Sequence, residues 1–249
     1  MKNNFSLENK TILITGASAG IGKETAIQCS RMGASIIITG RRTEKLKSTF
    51  DLLDGSGHIM VPADLTLEND LNKFTEQVQA IDGLVHSAGI TKLLPVKFST
   101  AEKIKELFDI NYMSVVLLTA ALLKQKKINT NSSIVFISSV STSIPVIGLS
   151  IYSATKAAIE AFSKTLAIEY GHMGIRSNCI NPAMVKTDMY TLTEKMWTAE
   201  KMEEQSAKYP LGMIYPEDVA NAAVFLLSQA SGKITGTTMP IDSGVHLYK

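Results

Sequence analysis

Tyr152 and Lys156 stand four residues apart, and Ser139 precedes Tyr152 by thirteen. On a helix, a spacing of four puts two side chains on one face, so a phenol and an ammonium there could act on a single bound molecule. A phenol titrates near ~10 and is a poor acid or base at neutrality; a neighbouring ammonium favours the phenolate and is expected to lower that value. The pair suits proton exchange with an oxygen atom. With seven tyrosines in the chain such a pair also arises by chance, so a second, independent signal is needed.

The residues must be positioned by regular elements. Ile134, Val135, Phe136 and Ile137 read as a buried parallel strand that delivers Ser138 and Ser139 to its carboxyl end, where open α/β sheets place their ligands. Further strands are expected at 11–14, 35–39, 58–62, 81–86, 175–180 and 237–241. Helices are expected from the first glycine cluster to Gly33, through Leu71, Phe74 and Val78, over about 100–123 with Asn111 in the middle, from Tyr152 to about Tyr170, and over 216–227. This alternation describes a doubly wound, Rossmann-type parallel sheet of about seven strands with helices on both faces, a three-layer α/β/α fold. No linker, repeat or low-complexity tract interrupts it, so residues 1–249 are expected to form a single domain, with a polar, Met-bearing stretch at 187–208 as a candidate substrate lid.

The second signal is Thr15, Gly16, Ala17, Ser18, Ala19, Gly20, Ile21 and Gly22, placed between the first strand and its helix. A helix N-terminus offers free N–H groups and a positive dipole end to phosphate oxygens, and glycine lets the backbone turn sharply and approach the ligand. A tight turn that binds nothing is the plainer alternative. At the end of the second strand come Gly40, Arg41 and Arg42. In a nucleotide fold an acid here selects a free ribose 2′-hydroxyl and an Arg accommodates a 2′-phosphate. The acid is missing, so NADP(H) is expected over NAD(H), unless the arginines are simply a solvated helix start.

The 249 residues carry a net charge of +2, with 45% hydrophobic and 19% charged residues. Nothing in that balance asks for nucleic acid or a membrane as a partner. No uncharged apolar run reaches the ~18 residues of a membrane span, and the first ten residues lack a signal-peptide core. Cys29 and Cys179 are unclustered, which suggests buried thiols in a cytoplasmic, reducing setting; the four histidines are scattered, and no metal site is expected.

Over its whole length the chain resembles the classical short-chain dehydrogenases/reductases, including those that act as 3-oxoacyl-acyl-carrier-protein reductases. The resemblance rests on the glycine motif from Thr15 to Gly22, Asn111, Ser139, Tyr152, Lys156, and Asn181-Pro182 with Thr187 downstream. It implies an oxidoreductase moving hydride between a nicotinamide and a small carbonyl or alcohol substrate, with Asn111, Ser139, Tyr152 and Lys156 as the catalytic set. Tyr152 would be the acid and base, Ser139 would bond the carbonyl oxygen, Lys156 would hold the ribose and lower the pKa of Tyr152, and Asn111 would bind a relay water. The same resemblance assigns cofactor binding to Gly16, Ser18, Ala19, Gly20, Ile21, Gly22, Arg41, Arg42, Asp64, Leu65, Ser87, Ala88, Gly89, Pro182, Val185 and Thr187, besides Tyr152 and Lys156. A homotetramer is implied too. A nucleotide-binding regulator without chemistry, or an isomerase or epimerase of the same fold, are the alternatives. His86-Ser87-Ala88-Gly89 stands where the family has Asn-Asn-Ala-Gly, Ala183 replaces a glycine, and Asp242-Ser243-Gly244 replaces Asp-Gly-Gly; His86 is read as structural.

Overall fold

The computed structural model describes residues 3–187, 190, 203–204 and 206–247. The seven strands are β1 (Thr11–Thr15), β2 (Ser35–Thr39), β3 (Ile59–Met60), β4 (Ile81–His86), β5 (Ile128–Ile137), β6 (Arg176–Pro182) and β7 (Thr238–Ile241). They form one sheet in the order β3-β2-β1-β4-β5-β6-β7, and every pairing is parallel. The order reverses between β1 and β4, the switch point at which such sheets leave a crevice beyond their carboxyl ends.

Side chains alternate across the strands, and the alternation builds two cores. Ile12, Ile14, Ile36, Ile38, Val135 and Ile180 face one side, where α1 (Gly20–Arg31) packs against the C-terminal helix α7 (Pro216–Leu227). α2 (Thr43–Phe50) joins that layer through the fully buried Leu46. Leu13, Ile37, Leu84, Ile134 and Phe136 face the other side, under α3 (Glu68–Gln77), α5 (Ser114–Lys124) and α6 (Ser150–Tyr170). At about 1.5–3 kcal/mol for each fully buried side chain of this size, the two faces supply most of the drive to fold.

The helix expected over 100–123 is not uniform. α4 (Ala101–Phe108) passes through a π-helical turn at Asp109–Met113 before α5 begins. Such a turn holds one residue more than an α-helical turn, and it is a common device at functional sites. The combined Ala101–Lys124 helix is long and apolar enough to cross a membrane by length and composition alone. Its Leu107, Val115, Leu118 and Leu122 are instead buried in the protein core.

Other boundaries moved as well. The third strand shrinks to two residues because His58 bonds Ile36 N through Nδ1 instead of joining the ladder. The fifth starts at Ile128, beyond an irregularity opposite Asp82, and the sixth extends through Asn181 and Pro182. Most of the expected lid at 187–208 lies outside the described residues.

Candidate active site

The loops that leave the carboxyl ends of β1, β4, β5 and β6 share one edge of the sheet. β5 stops at Ile137, and Ser139 opens the short 3-10 turn Val140–Thr142, its Oγ accepting from Ser141 N at 3.2 Å. α6 starts at Ser150, so Tyr152 and Lys156 occupy its first two turns on one face. Lys156 Nζ lies 5.7 Å from the centre of the Tyr152 ring, and the Ser139 hydroxyl hydrogen-bonds Tyr152. The three residues singled out by spacing therefore meet.

Their electrostatics differ from the expectation. Burial pushes the Tyr152 phenol above its ordinary value, and the hydrogen bond from Ser139 offsets only part of that rise. Lys156 does not hold it down; its ammonium is turned to the Ile137 carbonyl at 2.7 Å. Burial also lowers Lys156 itself to about 8. Both shifts have one physical cause, because a site with little water disfavours whichever form is charged.

Asn111 sits buried in the π turn. Its Oδ1 accepts from Ile90 N at 2.8 Å, and its Nδ2 donates to Ile90 O at 2.9 Å and Thr155 Oγ1 at 3.2 Å. The side chain thereby clamps the loop after β4 to α6. Gly89 fills the remaining gap, since a Cβ there would lie 3.3 Å from Asn111 Oδ1 and 3.5 Å from Lys156 Nζ.

The glycine turn has the shape of an anion cradle. Gly16 has φ +68°, and a Cβ on it would stand 2.7 Å from the Ala88 backbone, so the β1 and β4 loops touch main chain to main chain. Ser87 N and Ala88 N both donate to Thr15 Oγ1, at 3.2 and 3.3 Å. Gly22 packs as tightly, with a hypothetical Cβ 2.6 Å from Gly16 O. Ala19 supplies no side-chain cap to α1, so the first-turn N–H groups beside Ser18, Gly20 and Ile21 keep their donors for a ligand. Thr187 leans over this turn, its Cγ2 3.2 Å from where a Gly20 Cβ would be. An uncapped helix start under a Cβ-free surface fits a dinucleotide pyrophosphate.

At the end of β2, Arg42 Nη2 donates to Ser18 Oγ at 3.1 Å, and Arg41 Nη1 lies 3.8 Å from Asp64 Oδ2. Two cations thus flank the cradle while remaining exposed. Leu65 is partly buried against the second core. Pro182 closes β6, and Val185 bridges to Ile214, which fixes the segment leading to Thr187.

His86 is buried, with Nε2 2.9 Å from Thr119 Oγ1. Burial first, and then the charge of Lys156, lower it to about 3, which leaves a neutral ring. Two residues around the site were not foreseen: Thr155, which has no sequence signal, and Glu160, which does. Glu160 follows Lys156 by four, the spacing that first drew attention to Tyr152.

The curated relatives include a 3-oxoacyl-[acyl-carrier-protein] reductase of Rickettsia bellii, 35% identical over 97% of this chain and 98% of its own. The sequence profile described as enoyl-(acyl carrier protein) reductase matches residues 16–246. The chain belongs to the short-chain dehydrogenase/reductase family. An L-xylulose reductase of Caenorhabditis elegans is 32% identical over 98% of both chains. Among solved short-chain dehydrogenase/reductase structures, a glucose/ribitol dehydrogenase from Brucella melitensis superposes with a TM-score of 0.89 at 28% identity, covering 98% of this chain and 99% of that one. A gluconate 5-dehydrogenase from Beutenbergia cavernae, solved with NADP bound, gives 0.88 at 27%, covering 98% and 100%. As a member of this family the protein is an oxidoreductase of carbonyl and CH–OH groups.

Proposed function

We propose that the protein is an NADP(H)-dependent reductase of a carbonyl compound, and in reverse a secondary-alcohol dehydrogenase, with Tyr152 as acid and base. The observation that carries this reading is the meeting of the Ser139 hydroxyl, the Tyr152 phenol and the Lys156 ammonium at the carboxyl edge of the sheet. The bound nicotinamide cofactor supplies the hydride. As charge builds on the carbonyl oxygen, Ser139 and Tyr152 donate to it, and both bonds strengthen toward the transition state. Tyr152 then gives its proton to that oxygen. Its raised pKa supports this direction, because the phenol stays protonated at neutrality and is ready to donate. Lys156 holds the ribose, and Asn111 keeps the β4 loop and α6 in place for Tyr152 and Lys156.

For the cofactor we assign Gly16, Ser18, Ala19, Gly20, Ile21 and Gly22 to the pyrophosphate, Arg41 and Arg42 to the 2′-phosphate, and Asp64 and Leu65 to the adenine. Ser87, Ala88 and Gly89 would line the adenosine ribose, and Pro182, Val185 and Thr187 the carboxamide end. The substrate we favour is a 3-oxoacyl thioester. Two loops beside the site, tied by Leu94 N to Gly148 O at 2.7 Å, expose Leu93, Val96, Phe98, Val146 and Ile147, a rim suited to an apolar chain. The curated 3-oxoacyl reductase relatives support the same choice.

We further propose a cytoplasmic homotetramer in which residues 1–249 act as one unit. Met113 at the end of the π turn, Leu117 on α5, and Ala154, Ala157, Ala161 and Ile168 on α6 form exposed apolar or small faces that support assembly through these helices. Both cysteines are free and buried, in keeping with a reducing compartment. The deciding experiment follows NADPH oxidation with acetoacetyl-CoA. Tyr152→Phe should lower kcat by roughly 10²- to 10⁴-fold while NADPH still binds; turnover equal to the parent enzyme removes the acid.

A further inference from the structure

Glu160 lies one turn beyond Lys156 on α6, with its carboxylate beneath the catalytic residues. Glu160 Oε1 accepts from Ser138 Oγ at 2.9 Å and from Asn181 Nδ2 at 2.7 Å. Ser138 immediately precedes Ser139, and its Oγ is also 3.3 Å from Lys156 O. Asn181 immediately precedes Pro182 and makes a second bond to Thr142 Oγ1 at 3.3 Å, within the turn that Ser139 opens. Ser138 and Asn181 are 2% and 5% exposed, so neither has water to fall back on. Backbone bonds fix β5 to β6, and Ser138 N reaches Ile180 O at 2.8 Å. They do not fix α6 to either strand end; side-chain bonds do. Lys156 Nζ to Ile137 O and Ser138 Oγ to Lys156 O hold it to β5, and Glu160 Oε1 ties it to the ends of β5 and β6 together.

We propose that Glu160 is a positioning residue: it sets the helix bearing Tyr152 and Lys156 against the strand ends bearing Ser139 and the 182–187 segment. The role rests on the reductase reading above. It acts through Ser138 and Asn181, without touching substrate. Bonds of this kind matter out of proportion to their strength, because a small misplacement of reacting groups costs a large factor in rate.

The test compares Glu160→Ala and Glu160→Gln with the parent enzyme, using NADPH and acetoacetyl-CoA. Glutamine keeps an oxygen that accepts both bonds, whereas alanine leaves Ser138 and Asn181 only their longer 3.3 Å contacts to Lys156 O and Thr142 Oγ1. Glu160→Ala should lower kcat at least tenfold, leave the KM for acetoacetyl-CoA within threefold, and still bind one NADPH per chain by fluorescence titration. It should also move the tyrosine limb of the pH profile upward, since the Ser139 bond holds the Tyr152 pKa down. Among the described residues, the groups facing Tyr152 are Ser139 from the β5 loop and Lys156 from its own helix, and the charge of Lys156 acts in turn on His86 of β4. Glu160→Gln should keep at least half the parent kcat. An alanine variant within twofold of the parent, with an unmoved profile, overturns the proposal, as does a glutamine variant as damaged as alanine. If Glu160→Ala does not fold, Asn181→Ala, which removes one of the two bonds, should lower kcat at least threefold, and no change overturns the role. Tyr152→Phe run alongside separates the two readings. Full activity there sinks both, and an inactive Tyr152→Phe beside an unaffected Glu160→Ala sinks the positioning role alone.

Discussion

His86 lies face to face on Phe136, its neighbour across the β4–β5 pair, with ring centroids 5.1 Å apart and planes 8° from parallel. The stack, with the bond to Thr119, keeps an unprotonated imidazole inside the second core. The family's usual asparagine at this place carries no charge at any pH; His86 does, and that makes it a liability in acid.

Acid stability should show this. The folded-state value near 3 is below the unfolded 6.5, so the unfolded chain binds the extra proton first and stability is lost as pH falls from 6.5 toward 3. Within that window the slope from this one group is about 1.4 kcal/mol per pH unit. Urea denaturation at several pH values should give His86→Asn a shallower acid limb than the parent. Parallel limbs would mean that the ring is protonated in the folded state.

Lys156 has a related effect at the other end of the scale. Its folded value of about 8 lies under the unfolded 10.5, so the cost of its buried charge is complete below pH 8 and disappears as pH climbs to 10.5. Lys156→Met should therefore be more stable than the parent at pH 7, by up to roughly 3 kcal/mol on the same conversion, with the advantage shrinking above pH 8. Activity should fall in the same variant. A methionine variant no more stable at pH 7 than at pH 10.5, relative to the parent, would show that the ammonium is not under strain.

Cofactor choice is a separate matter of charge. Arg41→Asp replaces a cation beside Asp64 with a repelling carboxylate, so the ratio of NADPH to NADH affinity should drop by tenfold or more. Dissociation constants for the two cofactors, measured by fluorescence, decide it. An unchanged ratio would place the 2′-phosphate elsewhere or exclude it.

On the proposed mechanism Ser139→Ala removes one of two donors at the reacting oxygen and should lower kcat by roughly 10²-fold or more. The pH profile should shift upward as well, because the serine bond partly offsets the burial of Tyr152. Steady-state rates from pH 6 to 10 test both effects together. A large loss with no shift would assign Ser139 to the substrate alone.

The strands at β1 and β2 were legible almost to the residue, because an unbroken apolar run bounded by glycine or polar residues has few other readings in an alternating α/β pattern; β4 was legible too, although Asp82 and Gly83 interrupt its run. Ser139, Tyr152 and Lys156 were legible as a group through their spacing together with the glycine motif and the family resemblance. The π turn at Asp109–Met113 was not, since its sequence is as helical as its flanks. Nor was the direction of the Tyr152 shift. Spacing shows that an ammonium is near, but not that it is turned toward Ile137 or how little water reaches the phenol. Glu160 was visible as an i+4 partner of Lys156, yet its two acceptor bonds come from residues 22 before it and 21 after it. Only the folded chain brings those together.

An α-helix advances about 100° with each residue, so the surplus residue in the π turn sets the rotational phase of α4 against α5. Excising a single residue between 109 and 113 would leave Leu118 and Leu122 seated in the core and swing α4 round the helix axis by a quarter-turn or more. Asn111 would then face away from Ile90 and Thr155, and the β4 loop would lose its anchor although every strand stayed where it is.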